Sequence, residues 1–206
     1  MKLVLPSPVH LRLHDGTPVI LRPLLPEDRG RVIATFNRLS PDSTYFRFWT
    51  RFRGASPGFI DRLYAADHDR HATWVMIVDG KSDLPGVGGG SYWPSQEDPT
   101  LAEVSFTVAD EFQGQGAGTF LLAAVWREAQ EAGIRRFVAH VLEANHVMQA
   151  WWTCLGATAI QHPHGLEMTL QLDESALPDN PTAQRLRHCL AHLAEAPARE
   201  DHVVHA

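Results

Sequence analysis

Glu103-Val104-Ser105-Phe106-Thr107-Val108-Ala109-Asp110-Glu111-Phe112-Gln113-Gly114-Gln115-Gly116-Ala117-Gly118-Thr119 reads as an alternating strand that runs into a glycine-rich bend and then into a helix. Period-two alternation puts Val104, Phe106 and Val108 on one face of the strand and Glu103, Ser105 and Thr107 on the other. Glycines at alternate positions, Gly114, Gly116 and Gly118, let several backbone N–H groups point at one spot without side-chain obstruction. That spot suits a phosphate, because the orphan N–H groups and positive dipole end of the following helix favour an anion there. The same spacing suits a turn that needs glycine only for close packing, so spacing alone leaves both readings open. Two other phosphate-binding patterns fit poorly. A dinucleotide fold places such a bend after the first strand of a βαβ unit, with an acidic residue about 20 positions later, whereas here it follows the third or fourth strand of a meander. A Walker loop needs Gly-Lys followed by Ser or Thr, and position 117 is alanine.

Upstream of this stretch, Ala72 to Val78 and Gly86 to Trp93 read as two strands that form an antiparallel meander with Glu103 to Val108. Downstream, a helix from Gly118 to Glu131 carries Leu121, Val125 and Ala129 on one stripe, and Phe137 to Leu142 reads as a strand. This strand, helix, strand order requires a right-handed crossover and two parallel neighbours. A helix from Asn145 to Leu155 and a terminal hairpin, Ala157 to Ile160 and Leu166 to Leu172, follow. Near the N-terminus stand a hairpin turning at Asp15-Gly16, a helix opened by Pro26, a shorter helical patch from Asp42 to Trp49, and a third helix capped by Ser56-Pro57. The expected fold is α+β, a mixed and mostly antiparallel sheet of six to seven strands flanked by helices. Residues 1–8 are an N-terminal extension, 9–172 the domain, and 173–206 a tail with one helix. Asn180 and Pro181 open that helix, and its stripe of Leu186, Cys189, Leu190 and Leu193 reads as an arm packed on the domain or on a partner.

Composition narrows the function. Apolar residues make up 44% and charged residues 20% of the 206 positions, so the chain can bury a core. Eighteen basic against 24 acidic residues give a net charge of −6, which argues against a polyanionic target and so against nucleic acid. Cys154 and Cys189 lack any C-x-x-C pairing, which points away from a disulfide scaffold or a thiolate metal site and toward a reducing compartment. The apolar run after Lys2 is too short for a secretion signal and no window reaches the length of a spanning helix, so the expectation is a cytoplasmic protein without a membrane partner.

The bend resembles the acyl-coenzyme A site of the GNAT superfamily of N-acetyltransferases, whose signature is Arg or Gln, two residues, Gly, any residue, then Gly or Ala. Gln113, Gly116 and Gly118 satisfy it. The pre-loop strand, Asn145, the helix closed by Leu155-Gly156-Ala157 and the terminal hairpin occur in the family's order, over roughly Val9 to Leu172. Leu21-Arg22-Pro23, Leu39-Ser40-Pro41-Asp42-Ser43, Tyr45-Phe46-Arg47-Phe48 and Ala102-Glu103 are similar to the catalytic domain of bacterial Pat-type protein-lysine acetyltransferases.

The resemblance implies acetyl-CoA as co-substrate. It implies that the backbone of Gln113, Gly114, Gln115, Gly116, Ala117, Gly118 and Thr119 cradles the pyrophosphate and that Phe106, Thr107 and Val108 pair with the pantetheine arm. That pairing has its own logic: parallel strands splaying apart after Val108 leave N–H and C=O groups that an amide chain can match. Asn145 is carried over as a coenzyme contact and reads equally as a helix N-cap. An amine nucleophile has a pKa near 10.4 and must lose a proton. Glu103 is the expected general base, half-buried at the cleft so that desolvation raises its pKa. The Val108 N–H is the expected donor to the oxyanion. His140, the alternative base, shares a face with Val138 and Leu142 and reads as structural. Where many family members carry a tyrosine acid, this chain has Trp152, and the thiolate leaves unaided. Cys154, in an apolar helix, reads as core. His162 with His164, and His68 with Asp69 and His71, lack a full ligand set and read as solvated, so no metal is expected. The implied activity is transfer to a primary amine, protein lysine ahead of a small molecule, by direct attack in a ternary complex. The alternative is a silent acyl-CoA-binding sensor or assembly module, and homodimerisation stays open.

Overall fold

The computed structural model describes residues 8–49, 55–67, 71–81 and 85–195. Thr50 to Arg53, and His68 and Asp69, lie outside them. The strands are β1 (Val9–Arg12), β2 (Pro18–Pro23), β3 (Ala72–Val78), β4 (Gly88–Pro94), β5 (Leu101–Val108), β6 (Arg136–Val141), β7 (Thr158–His162) and β8 (Gly165–Gln171). The helices are α1 (Arg29–Arg38), α2 (Pro41–Phe48), α3 (Pro57–Tyr64), α4 (Ala117–Glu131), α5 (His146–Cys154) and α6 (Pro181–Glu195). One sheet of order β1-β2-β3-β4-β5-β6-β8-β7 holds all the strands. Every neighbouring pair is antiparallel except β5 and β6, which are joined through α4. The α+β class with a single parallel pair is as expected. The count is eight strands rather than six to seven, because both edge hairpins hold their register to the end.

Local chemistry sets the helix starts. Ser40 and Ser56, each followed by proline, accept hydrogen bonds from the amides of Ser43 (3.1 Å) and Phe59 (3.2 Å). Asn180 accepts from Thr182 and Ala183, both at 3.0 Å, and so opens α6. The two faces of the sheet are covered differently. On one, α4 buries Leu121, Leu122, Val125 and Trp126 completely. On the other, α1 and α3 bring Phe36, Ile60 and Leu63 against Leu24 and Val75. The stripe of α6 (Leu186, Cys189, Leu190, Leu193) is buried in the α4-side core, so of the two expected places this helix packs on the domain.

Candidate active site

The parallel pair is short. Pairing of β5 with β6 covers only Leu101↔Arg136, Ala102↔Phe137 and Glu103↔Val138, while β5 stays with β4 to Val108↔Gly88 and β6 stays with β8 to Val141↔Leu166. The wedge therefore opens at Val104, not after Val108 as the sequence suggested. Each strand keeps its antiparallel partner, and the sheet twist then carries the two apart. The Ala109 amide donates to the Val87 carbonyl at 2.9 Å, which sets odd-numbered peptides of β5 toward β4 and aims those of Phe106 and Val108 into the wedge. The Val108 carbonyl is taken by Nε2 of Gln113 at 3.1 Å.

The glycine bend closes the wedge at its wide end. Gly114 (φ 72°) and Gly116 (φ 91°) adopt left-handed backbone that favours glycine. The amides at the two ends of the bend are used internally, Gln113 to the Asp110 carbonyl and Thr119 to the Gly116 carbonyl. Among the described residues, the amides of Gly114 to Gly118 have no protein acceptor. A Cβ on Gly118 would meet no atom within 4 Å, so the open space above it is available to a ligand. Asp110 anchors the bend to α2. Its carboxylate accepts from the Ser40 amide (2.9 Å) and from the hydroxyls of Ser40 (2.8 Å) and Ser43 (2.7 Å). Burial alone would raise the Asp110 pKa, but these donors hold it below the ordinary carboxylate value. On the other side, the His14 amide donates to the Gln115 carbonyl at 3.1 Å.

A cleft of about 1290 Å³ follows the wedge and bend. Phe106, Thr107, Val108, Gln113, Gly114, Gly116, Gly118, Thr119 and Asn145 all line it. Three expected residues do not. The Ala117 side chain is buried in the core, Gln115 engages through its carbonyl, and Glu103 stands at the last paired rung, just before the wedge opens. Asn145 is also the N-cap of α5, accepting from the Met148 amide at 3.2 Å.

Paired residues share a face, so Glu103, Ser105 and Thr107 of β5 and Val138 and His140 of β6 border the wedge on the α1–α3 side. Glu103 is exposed rather than half-buried. His140, read as structural, is exposed and lines the cleft, since β6 has left β5 by that point. Cys154 is exposed and not core, being on the outer side of α5, while Trp152 is the buried member of that helix. Trp151 meets Phe106 edge-to-face at 6.1 Å and lines the cleft.

Arg47 was not singled out from sequence. Its Nε donates to Thr107 Oγ1 at 3.1 Å, and its guanidinium lies 4.7 Å from the Phe59 ring centroid and 5.2 Å from that of Phe48. Burial lowers its pKa to about 10, against the attraction of Glu103. The only local signal was the aromatic run around it; its partners Phe59 and Thr107 are distant in sequence. Among the described residues, no three or more His, Cys, Asp or Glu side chains group as a metal site, and no helix is long and apolar enough to cross a membrane.

Comparison with known proteins gives a consistent picture. The model of the acetyltransferase (GNAT) family matches residues 38–157. The chain is 31% identical over 163 residues to acetyltransferase Pat of Mycolicibacterium smegmatis, covering 79% of this chain and 48% of that protein, so it spans about half the length of that relative. It is 32% identical over 151 residues to an acetyltransferase of Pseudomonas aeruginosa, covering 73% of this chain and 81% of that one. The crystal structure of the GNAT domain of S. lividans PAT superposes with a TM-score of 0.72 at 25% identity, covering 81% of this chain and 98% of that one.

Proposed function

The chain belongs to the acetyltransferase (GNAT) family, and from that premise we propose that it is an acetyl-CoA-dependent N-acetyltransferase acting on a primary amine. The observation that carries this reading is the wedge opening at Val104 directly beside a bend of unengaged amides. The amides of Gly114 to Gly118 receive the pyrophosphate. The peptides of Phe106 and Val108 pair with the pantetheine amides as a further strand would. The arm runs inward from the bend, so the thioester lies beyond Phe106 toward Glu103, and the Val108 N–H, nearest the bend, serves the arm rather than the oxyanion.

Glu103 accepts the proton of the incoming ammonium, directly or through a water, because the amine must be neutral to attack. The amine nitrogen bonds to the carbonyl carbon, and the C–S bond then breaks. The thiolate departs with a pKa near 8.5 and takes up a proton, leaving an N-acetylated amine and coenzyme A thiol. Trp152 is buried and carries no acid, so no protein proton is assigned to the leaving group. Glu103 is exposed, which lets a lysine carried on a protein surface reach it and supports protein lysine ahead of a small amine.

Thiol release on mixing with acetyl-CoA and either lysine peptides or polyamines tests this. Turnover on the peptides is expected, and Glu103→Gln should lower kcat by about 10²- to 10⁴-fold with acetyl-CoA affinity unchanged. Binding without thiol release on any amine would favour a silent acyl-CoA-binding module. An unchanged rate in the variant would remove Glu103 as base.

A further inference from the structure

The cleft has a second wall that the family motif does not account for. Arg12 and His14, from the end of β1 and the turn after it, and Arg185 and His188, from α6, line it together with Phe120 of the first turn of α4. All four cationic or imidazole side chains are exposed. Helix α6 lies beyond residue 157, where the family match ends.

Each group is held in place by something the fold provides. Arg185 and His188 stand at i and i+3, on one side of α6. The adjoining stripe of Leu186, Cys189 and Leu190 is buried against the domain, which fixes the direction they face. The Nε2 atom of His14 stands 3.0 Å from where a Cβ on Gly116 would be, so the imidazole sits on the bend itself. Arg12 donates one N–H to the Gly16 carbonyl at 3.0 Å and keeps its other guanidinium donors.

The carboxylates of the cleft lie at one end. Among the described residues lining the cleft, the carboxylates are Asp42 and Asp110, both at the α2 end, where Asp110 is engaged by Ser40 and Ser43. In a chain of net charge −6, the opposite wall holds two guanidiniums and two imidazoles. A phosphate monoester carries about −1.5 to −2 charges at neutral pH and is best met by such charge-assisted donors.

We infer that this wall seats the 3′-phosphate at the adenosine end of coenzyme A, with Arg185 and His188 as its principal donors and Arg12 and His14 flanking them. The inference rests on the coenzyme reading above. With the pyrophosphate on the Gly114 to Gly118 amides, the nucleoside beyond it runs past the first turn of α4 toward α6. The main-chain amides are then occupied, and side chains must hold the remaining phosphate.

Calorimetric titration of the wild-type chain with coenzyme A and with 3′-dephospho-coenzyme A tests it. The dephospho form should bind about ten- to hundredfold more weakly. The double variant Arg185→Gln, His188→Gln, altered only at exposed positions, should keep its melting temperature. It should bind coenzyme A about as weakly as the wild type binds the dephospho form, with its affinity for the dephospho form itself nearly unchanged. Equal wild-type affinity for the two ligands overturns the inference without recourse to any variant, and so does a double variant that keeps the full discrimination. If the wild type takes up neither ligand, the coenzyme reading falls and this inference with it, an outcome distinct from tight binding without discrimination.

Discussion

Gly116 and Gly118 are two positions apart, and a side chain added at each has a different consequence. At Gly116 a Cβ would have to adopt φ 91° and press on His14 Nε2 at 3.0 Å. Gly116→Ala should therefore cost about 1–2 kcal/mol of stability, read from urea unfolding. Gly118 is helical and meets nothing within 4 Å. Gly118→Val should keep stability within about 0.5 kcal/mol while weakening acetyl-CoA binding at least tenfold, because the backbone can no longer approach the pyrophosphate. An affinity that survives this change would place the phosphates elsewhere. The conformation of the bend is largely legible in the sequence, since the left-handed backbone at Gly114 and Gly116 follows from their own residue type. Exposure is not. Alternation assigns Glu103 and His140 to a face, and Cys154 to an apolar helix, but what covers each of them is decided by elements far away in the chain.

Elements are tied together by groups that a local reading passes over. Arg22, at the end of β2, grips Asp28, at the entry to α1, in a two-pronged pair of 2.6 and 2.8 Å, and the Leu25 amide adds a bond of 3.0 Å to the same carboxylate. Asp28 is 3% exposed, and burial alone would raise its pKa; the Arg22 guanidinium and the amide hold it below its ordinary value instead. Its folded pKa thus lies below its unfolded one, so its stabilisation is present above about pH 4 and is lost as pH falls through the folded value. Asp28→Asn should cost about 3–5 kcal/mol at pH 7, where it leaves Arg22 without its charge partner. The gap to the wild type should narrow at pH 3, and a gap independent of pH would contradict the assignment. Leu190 of α6 is fully buried, so Leu190→Ala should cost about 2–5 kcal/mol by the same unfolding measurement; a value near zero would mean that α6 does not pack on the domain. The stripe of α6 told that the helix packs, but not that it packs on α4 and turns Arg185 and His188 toward the cleft.

For the molecule as a whole, the site exists because two strands part company. β5 is held by β4 to Val108 and β6 by β8 to Val141, and each ladder is complete where their shared one has already ended at Glu103. The order of strands and helices could be read along the chain, and with it the single parallel pair. The residue at which that pair separates depends on registers with β4 and β8 that local patterns do not encode, so the sequence places the opening too late. The central claim is that main-chain amides of the bend and of this open edge hold the coenzyme. Titrating ¹⁵N-labelled protein with acetyl-CoA and following each backbone amide by NMR addresses it directly. Saturable shifts largest at Gly114, Gly116, Gly118, Phe106 and Val108 are the predicted result, and saturation that leaves these amides unmoved would contradict the account.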